Sequence, residues 1–410
     1  MQLRDYQQTI STEASGLLSV FGYAYLAMQV RTGKTITALE TARLYGARDV
    51  IILTKKKAIS SIEADCKHFD FNSTVINYES MHKIGNIKCD LMIVDEAHGL
   101  GAFPKPSLRA KNVSAMYLKY RFPPVILLSG TPTPESYSQI YHQLYFLGDG
   151  PFMRYSNFYK WAKDYVDVRQ VWTSGMPKND YSGAKKDKID EVVKPFMISY
   201  TQQEAGFESK VEEEILYVDM SSRTAGIIDT LKKDFIVNGK DETIIADTGA
   251  KLMQKTHQLC SGTIIFESGN TMVIDHTKAK FIRERFLGKK IGIFYKFKAE
   301  LDAIECVFGL DICTTLDEFD NCDKSIALQI QSGREGVSLK NAEYLVFYNI
   351  DFSATSYWQA KDRMTTMDRK FNKVYWVFSR GGIEEDIYKA VCSKKNYTLS
   401  YFNKYVKLSK

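Results

Sequence analysis

No uninterrupted apolar run in the 410 residues approaches the roughly 18 needed to span a bilayer, and the opening Met-Gln-Leu-Arg-Asp-Tyr-Gln lacks the apolar stretch of an export signal. A membrane-spanning or secreted protein is therefore not expected; a cytoplasmic one is. Paired cysteines are missing too. Cys66, Cys89, Cys260, Cys306, Cys313, Cys322 and Cys392 are scattered without a Cys-x-x-Cys pair, which points away from a disulfide scaffold or a zinc site and towards reduced thiols in a cytosol-like compartment. Neither sign of charge dominates: 55 Lys and Arg face 49 Asp and Glu, a net charge of +6, compatible with a polyanionic partner without establishing one. What remains is an ordinary globular composition, 44% hydrophobic and 25% charged, long enough for two or three domains with a core each.

The strongest local pattern is Met28-Gln-Val-Arg-Thr-Gly-Lys-Thr35, set between the apolar run Tyr23 to Ala27 and the helix-like run Ile36 to Leu44. An apolar strand, a Gly-Lys-Thr turn and a helix start form the context of a phosphate-binding loop, because backbone N–H groups and a helix N-terminus surround phosphate oxygens. In that reading Arg31, Thr32 and Gly33 supply the loop, Lys34 reaches the β- and γ-phosphates of a nucleotide, and the Thr35 hydroxyl holds Mg²⁺. The full pattern has Gly where this chain has Met28, so the loop needs support from elsewhere. It comes from Leu91-Met-Ile-Val94, a buried-strand run that ends in Asp95-Glu-Ala-His98. Asp95 can hold Mg²⁺ through water, and Glu96 can orient and deprotonate an attacking water.

Further apolar strands alternate with helical segments: Val50 to Leu53, Val75 to Tyr78, and Val125 to Leu128, the last running into Ser129-Gly-Thr-Pro-Thr-Pro134. The alternation predicts a parallel, doubly wound α/β sheet with its polar strand tips gathered along one edge. Upstream, Gln7 has the donor and acceptor to bond an adenine amide-fashion, or else simply begins an amphipathic helix. The lysines of Thr54-Lys-Lys-Lys57 meet a nucleic-acid backbone or make a solvated turn. Residues 150–195 break the pattern with Phe152, Tyr155, Phe158, Tyr159, Trp161, Tyr165 and Trp172. They read as an inserted helical segment plus a flexible loop, the aromatics packing a small core of their own or, as the less favoured alternative, stacking on bases.

Taken in order, Tyr6-Gln7, Gly33-Lys-Thr35, Asp95-Glu-Ala-His98 and Ser129-Gly-Thr-Pro132 resemble the first motor domain of superfamily 2 helicases, most closely their Swi/Snf-like branch in a compact viral or bacterial form. The resemblance implies ATP and Mg²⁺, and makes His98, Ser129 and Thr131 residues that couple nucleotide state to nucleic-acid contact. Lys194 to Tyr200 resembles the family's crossing segment out of the first domain, and His276 to Phe281 its entry into the second. Strands over Ile291 to Tyr295, Ser325 to Ile330, Tyr344 to Tyr348 and Val374 to Phe378 follow, with no Gly-Lys-Thr and no Asp-Glu pair. That half is expected to sense the nucleotide without being a second ATPase. Gln331 to Leu339, with Gly336, and with Ser338 where Asp or Asn is common, resembles the fifth motif. Ser356 to Arg363 resembles the sixth and supplies Gln359 and Arg363. The sixth motif usually carries another Arg three positions on; this chain has Thr366 there, so the arginine finger is either Arg363 or Arg369.

The expectation is two RecA-like α/β domains in tandem, over 1–205 and 270–410, with the insertion at 150–195 and a mostly helical connector over 206–269, clamping ATP–Mg²⁺ in the cleft between them. The implied function is an ATP-dependent DNA helicase or translocase, acting as a monomer on duplex, forked or branched DNA through backbone contacts with little sequence reading. Two alternatives stay open. One is a motor subunit of a restriction or nuclease assembly, although no nuclease constellation is visible. The other is a catalytically weak binding module, which Met28 and Thr366 permit and the intact Lys34, Thr35, Asp95 and Glu96 argue against. The closing stretch 393–410, lysines mixed with aromatics, predicts an amphipathic helix.

Overall fold

Continuous apolar runs such as Leu91–Val94 and Val125–Leu128 can hide both faces only inside a parallel sheet covered on each side, and the computed structural model places them there. It describes residues 2–173, 176–206, 210–239, 242–330, 339–353 and 371–393. The chain divides into two units, Met1–Phe207 and Glu208–Lys410.

In the first unit the order is α1 (Asp5–Phe21), β1 (Tyr23–Met28), α2 (Lys34–Tyr45), β2 (Asp49–Thr54), α3 (Ile59–Cys66), β3 (Asn72–Asn77), β4 (Leu91–Val94), α4 (Leu108–Lys119), β5 (Val125–Leu128) and α5 (Ile140–Leu144). After α5 come α6 (Phe158–Tyr165), β6 (Arg169–Thr173), β7 (Met176–Asp180), α7 (Lys186–Val193) and β8 (Met197–Tyr200). Six strands lie parallel in the order β3-β2-β4-β5-β1-β8. Because side chains alternate across a strand, Ala24, Leu26, Ile52, Ile93 and Ile126 pack on one face with Ile10, Ala14, Leu18, Ala38 and Leu39 of α1 and α2. Tyr25, Leu53, Met92, Val94 and Leu127 pack on the other, with Val113 and Met116 of α4 and the aromatic insertion.

Within that insertion Trp161 is fully buried. It lies 5.1 Å from Tyr141, 5.5 Å from Phe152 and 5.2 Å from Tyr165, centroid to centroid, so the aromatics form a core of their own; the side chain of Trp172 lies outside the described residues. The loop expected after them contains the antiparallel hairpin β6–β7, Arg169 opposite Asp180 and Thr173 opposite Met176. Its described side chains are mostly exposed, so the pair carries no alternation of buried and polar positions to be read.

The second unit runs β9 (Lys210–Val218), α8 (Ser222–Asp234), β10 (Ile236–Asn238), β11 (Thr243–Ile245), α9 (Gly249–Cys260), β12 (Thr263–Ile265), β13 (Thr271–Val273), α10 (Thr277–Arg285), β14 (Ile291–Tyr295) and α11 (Lys298–Phe308). It continues with β15 (Ile312–Cys313), α12 (Leu316–Asn321), β16 (Ser325–Gln329), β17 (Tyr344–Phe347), β18 (Phe371–Ser379) and α13 (Glu384–Cys392). A second parallel sheet has the order β15-β16-β14-β17-β18-β9. The stretch 206–269, expected as a connector, is built into this unit: β9 pairs with β18 along its whole length, and Leu231, Leu252 and Leu259 of α8 and α9 share a core with Phe347, Trp376 and Phe378. Consecutive Glu212, Glu213 and Glu214 disguise β9 in the sequence. The fold satisfies two of them, Glu213 by the Trp376 indole N–H at 2.9 Å and Glu214 by Lys373 at 2.7 Å. Among the described residues no helix is long and apolar enough to cross a membrane.

Candidate active site

Three strand ends and one helix start meet in the first unit. β1 remains paired through Met28, opposite Tyr200 of β8, and Met28 is fully buried with no left-handed φ. A glycine is therefore not required at that position, and the turn tightens only afterwards, at Arg31 (φ 66°) and Gly33 (φ 78°). Gly33 caps α2; a side chain there would run into the Gln7 amide as well as strain the backbone. The first-turn N–H groups of α2 have no carbonyl below them within the helix, which is the geometry that receives an anion. The loop is fastened from outside: Tyr6 Oη donates to Thr32 O at 2.9 Å, Gln202 Nε2 to Val30 O at 3.0 Å, and the Tyr6 ring stacks on Tyr200 at 4.6 Å.

Lys34 Nζ lies 3.7 Å from Glu96 Oε1, both side chains largely buried. Asp95 is buried beside them and accepts a hydrogen bond from Thr54 Oγ1 at 2.7 Å, while Tyr78 Oη donates to its backbone carbonyl. Burial first, then the neighbouring Glu96 charge, pushes the Asp95 pKa up to about 6, against the opposing pull of Lys34 and Thr54. Glu96 itself has φ 50° and ψ 47°, a left-handed conformation that costs a residue with a Cβ of the order of 1 kcal/mol and that turns its carboxylate back towards Lys34. From Glu96 a polar chain leads away. His98 Nδ1 is 3.2 Å from Glu96 Oε2 and 2.9 Å from Ser129 Oγ, which accepts the Thr131 N–H at 3.1 Å. Tyr25 Oη donates to Gln143 Oε1 at 2.6 Å, and Gln143 Nε2 donates to Pro132 O at 2.8 Å, holding the Ser-Gly-Thr-Pro turn from below.

A profile of the SNF2-related domain matches residues 26–263, more than half of the chain. The chain belongs to the SNF2-related domain family. This places it in the Swi/Snf-like branch of superfamily 2. The chain is similar to the CHD3-type chromatin-remodeling factor PICKLE of Arabidopsis thaliana, 22% identical over 93% of this chain and 29% of that protein. It is also similar to the ISWI chromatin-remodeling complex ATPase ISW1 of Saccharomyces cerevisiae, 21% identical over 79% of this chain and 31% of the relative. It thus spans less than a third of either. Among solved structures, the Sulfolobus solfataricus SWI2/SNF2 ATPase core domain superposes with a TM-score of 0.42 at 14% identity, covering 96% of this chain and 89% of that one.

In this SNF2-related chain the residues that sequence patterns single out in the first unit, Gln7, Arg31 to Thr35, Asp95, Glu96, His98, Ser129 and Thr131, stand at neighbouring strand and helix ends. Gln7 is engaged within the protein: its amide oxygen accepts the Arg4 N–H at 3.0 Å and its nitrogen faces Thr32 O at 3.5 Å. Gly336, Gln359, Arg363, Thr366 and Arg369 lie outside the described residues, as does the stretch 394–410. Sequence reasoning misses Thr54, Tyr78, Gln143 and Gln202, each of which positions a motif residue. The signal available for Thr54 and Tyr78 is their place at the carboxyl ends of adjacent parallel strands, where α/β sheets gather their ligands. Among the described residues no cluster of three His, Cys, Asp or Glu could hold a metal alone. The Thr35 hydroxyl and Asp95 carboxylate are hard oxygen donors, few in number, which fits Mg²⁺ brought in with nucleotide phosphates.

Proposed function

We propose that the chain is a DNA-dependent ATP hydrolase that converts turnover into movement along duplex, forked or branched DNA. The observation that carries the reading is the convergence of Lys34, Asp95 and Glu96 at the N-terminus of α2, one cation and two carboxylates with opposed tasks. Lys34 and the first-turn N–H groups hold the β- and γ-phosphates. Thr35 and Asp95 hold Mg²⁺, which neutralises phosphate charge when bound. Glu96, oriented by its backbone conformation and by His98, takes a proton from the attacking water as the water oxygen bonds to the γ-phosphorus and ADP leaves. His98 then relates the state of Glu96 to the Ser129–Thr131 turn, which supports a coupling role for these three residues. The names of the relatives, chromatin-remodelling factors and ATPases, support DNA as the polyanion.

Phosphate release measured with and without saturating duplex DNA tests the assignment. Lys34→Ala should abolish hydrolysis by removing the phosphate contact. Glu96→Gln should retain nucleotide binding and lose turnover, about a hundredfold or more. Parent-like hydrolysis by Glu96→Gln would remove Glu96 as the base, and absence of any DNA effect on the parent would remove the motor reading.

A further inference from the structure

On the face of the first unit formed by α4 and α5, a pocket of about 500 Å³ opens between α4, the loop over residues 104–106 and the aromatic insertion. Its wall is largely apolar, with the rings of Tyr145, Phe146 and Phe158 among the lining side chains. α4 explains why the pocket is there. One stripe of this helix, Ala110, Val113, Met116 and Tyr117, is buried against the sheet. A second stripe at helical spacing, Lys111, Ala115 and Leu118, is left exposed among the described residues, Leu118 by 57% although it lines the pocket. Tyr159 across the pocket is 46% exposed. The apolar contact surface thus continues beyond the cavity, as a binding site for an extended occupant requires.

One polar side chain of the lining is arranged to accept a hydrogen bond. His142 is buried, and its Nδ1 lies 2.7 Å from the Ala102 carbonyl. That contact requires the proton on Nδ1, so Nε2 is the acceptor left on the neutral ring. That acceptor matches the N–H of a peptide backbone, which a hydrocarbon ligand does not offer. The charged lining residues are Lys105 and Lys111, both exposed and without an ion pair among the described residues, and no acidic side chain lines the pocket. The complementary occupant is apolar at its centre and anionic at its flanks.

We infer that this pocket docks a segment of a partner protein, a short peptide with an aromatic or aliphatic anchor flanked by carboxylates. The site lies apart from the phosphate loop and strand tips, so its occupancy is measurable whether or not the chain hydrolyses ATP.

Fluorescence anisotropy of the full chain with labelled short peptides tests it, one set carrying a Phe, Leu or Trp anchor flanked by Glu and a matched set flanked by Lys. The Glu-flanked set should bind, and the Lys-flanked set should bind at least about tenfold more weakly at low salt. Leu118→Asp, an exposed change that leaves the buried stripe of α4 intact, should abolish binding. Lys105→Glu with Lys111→Glu should invert the charge preference, an outcome that mere unfolding cannot produce. Equal binding of both peptide sets, binding insensitive to Leu118→Asp, or no binding by either set would overturn the inference. Saturable binding of indole-3-acetate with no binding by either peptide set would overturn it in favour of a small-molecule site.

Discussion

At the scale of single residues, the site holds two carboxylates in adjacent positions with different surroundings. Asp95 is the more deeply buried of the two, and burial and the Glu96 charge drive it up to about 6. A carboxyl whose pKa rises on folding favours the folded state fully below its unfolded value, near about 3.9, and that contribution is lost as pH rises through about 6. The difference corresponds to about 3 kcal/mol at neutral pH. Asp95→Asn keeps an oxygen acceptor for Thr54 and removes the charge. In the magnesium-free chain it should therefore raise the thermal midpoint at pH 7.5 and do so much less at pH 4.5, while hydrolysis falls. An equal gain at both pH values, read by calorimetry, would show that burial of the charge is not the cause. Asp275 is the opposite case. Burial alone would raise it, yet hydrogen bonds from the Thr277 and Ser221 N–H groups, with those residues' side chains, outweigh that and hold it down at about 2. Its contribution is present above about 3.9 and lost only as pH falls through about 2, so it is intact at neutral pH.

Among the elements, the aromatic insertion is where the residue pattern allowed two roles and packing separates them. Trp161 has no exposed surface and Tyr159 is nearly half exposed, two residues apart on the same short helix, α6. Trp161→Ala should cost the first unit about 3–5 kcal/mol, the usual price of a large aromatic removed from a core, whereas Tyr159→Ala should change stability by less than about 0.5 kcal/mol. Chemical denaturation followed by tryptophan fluorescence and far-UV circular dichroism reads both. If Trp161→Ala instead lowered DNA affinity with unchanged stability, the rings would be stacking on bases and not on each other. β9 teaches the complementary lesson: three successive glutamates deny it any strand signature, and only pairing with β18 makes a strand of it.

For the whole molecule, the expected partner follows from charge and family together. The net charge of +6 is modest, and Lys56 and Lys57, exposed beyond the end of β2, supply local cations at the sheet edge. If several such groups meet phosphates, log affinity for duplex DNA should fall linearly with log salt, with a slope near about −0.9 for each phosphate neutralised. Lys56→Ala should reduce the slope by about one phosphate with no change in sequence preference. A flat salt response would remove the nucleic-acid reading, and equal stimulation of hydrolysis by RNA would move the substrate. The sixth motif poses the remaining whole-chain question. On the family resemblance, Arg363→Ala should lower kcat at least about a hundredfold with ATP affinity held within a few-fold, the pattern of a contact made mainly in the transition state. A large loss at Arg369→Ala alone would transfer that role to Arg369.

The ordered motifs and the continuous apolar strands were legible from residues alone, because a phosphate loop and a buried parallel strand are local patterns: Leu91–Val94, Val125–Leu128 and Ile291–Tyr295 coincide with β4, β5 and β14 residue for residue. What needed the tertiary structure is whatever depends on a neighbour distant in sequence. The supports of the site, Thr54 under Asp95, Tyr78 on its carbonyl and Gln143 beneath the Ser-Gly-Thr-Pro turn, are ordinary residues until strands far apart in sequence lie side by side. The tolerance of Met28 is decided by its partner Tyr200, and the place of β9 by its partner strand. Pairing partners and burial are properties of the folded chain, so no window of sequence contains them.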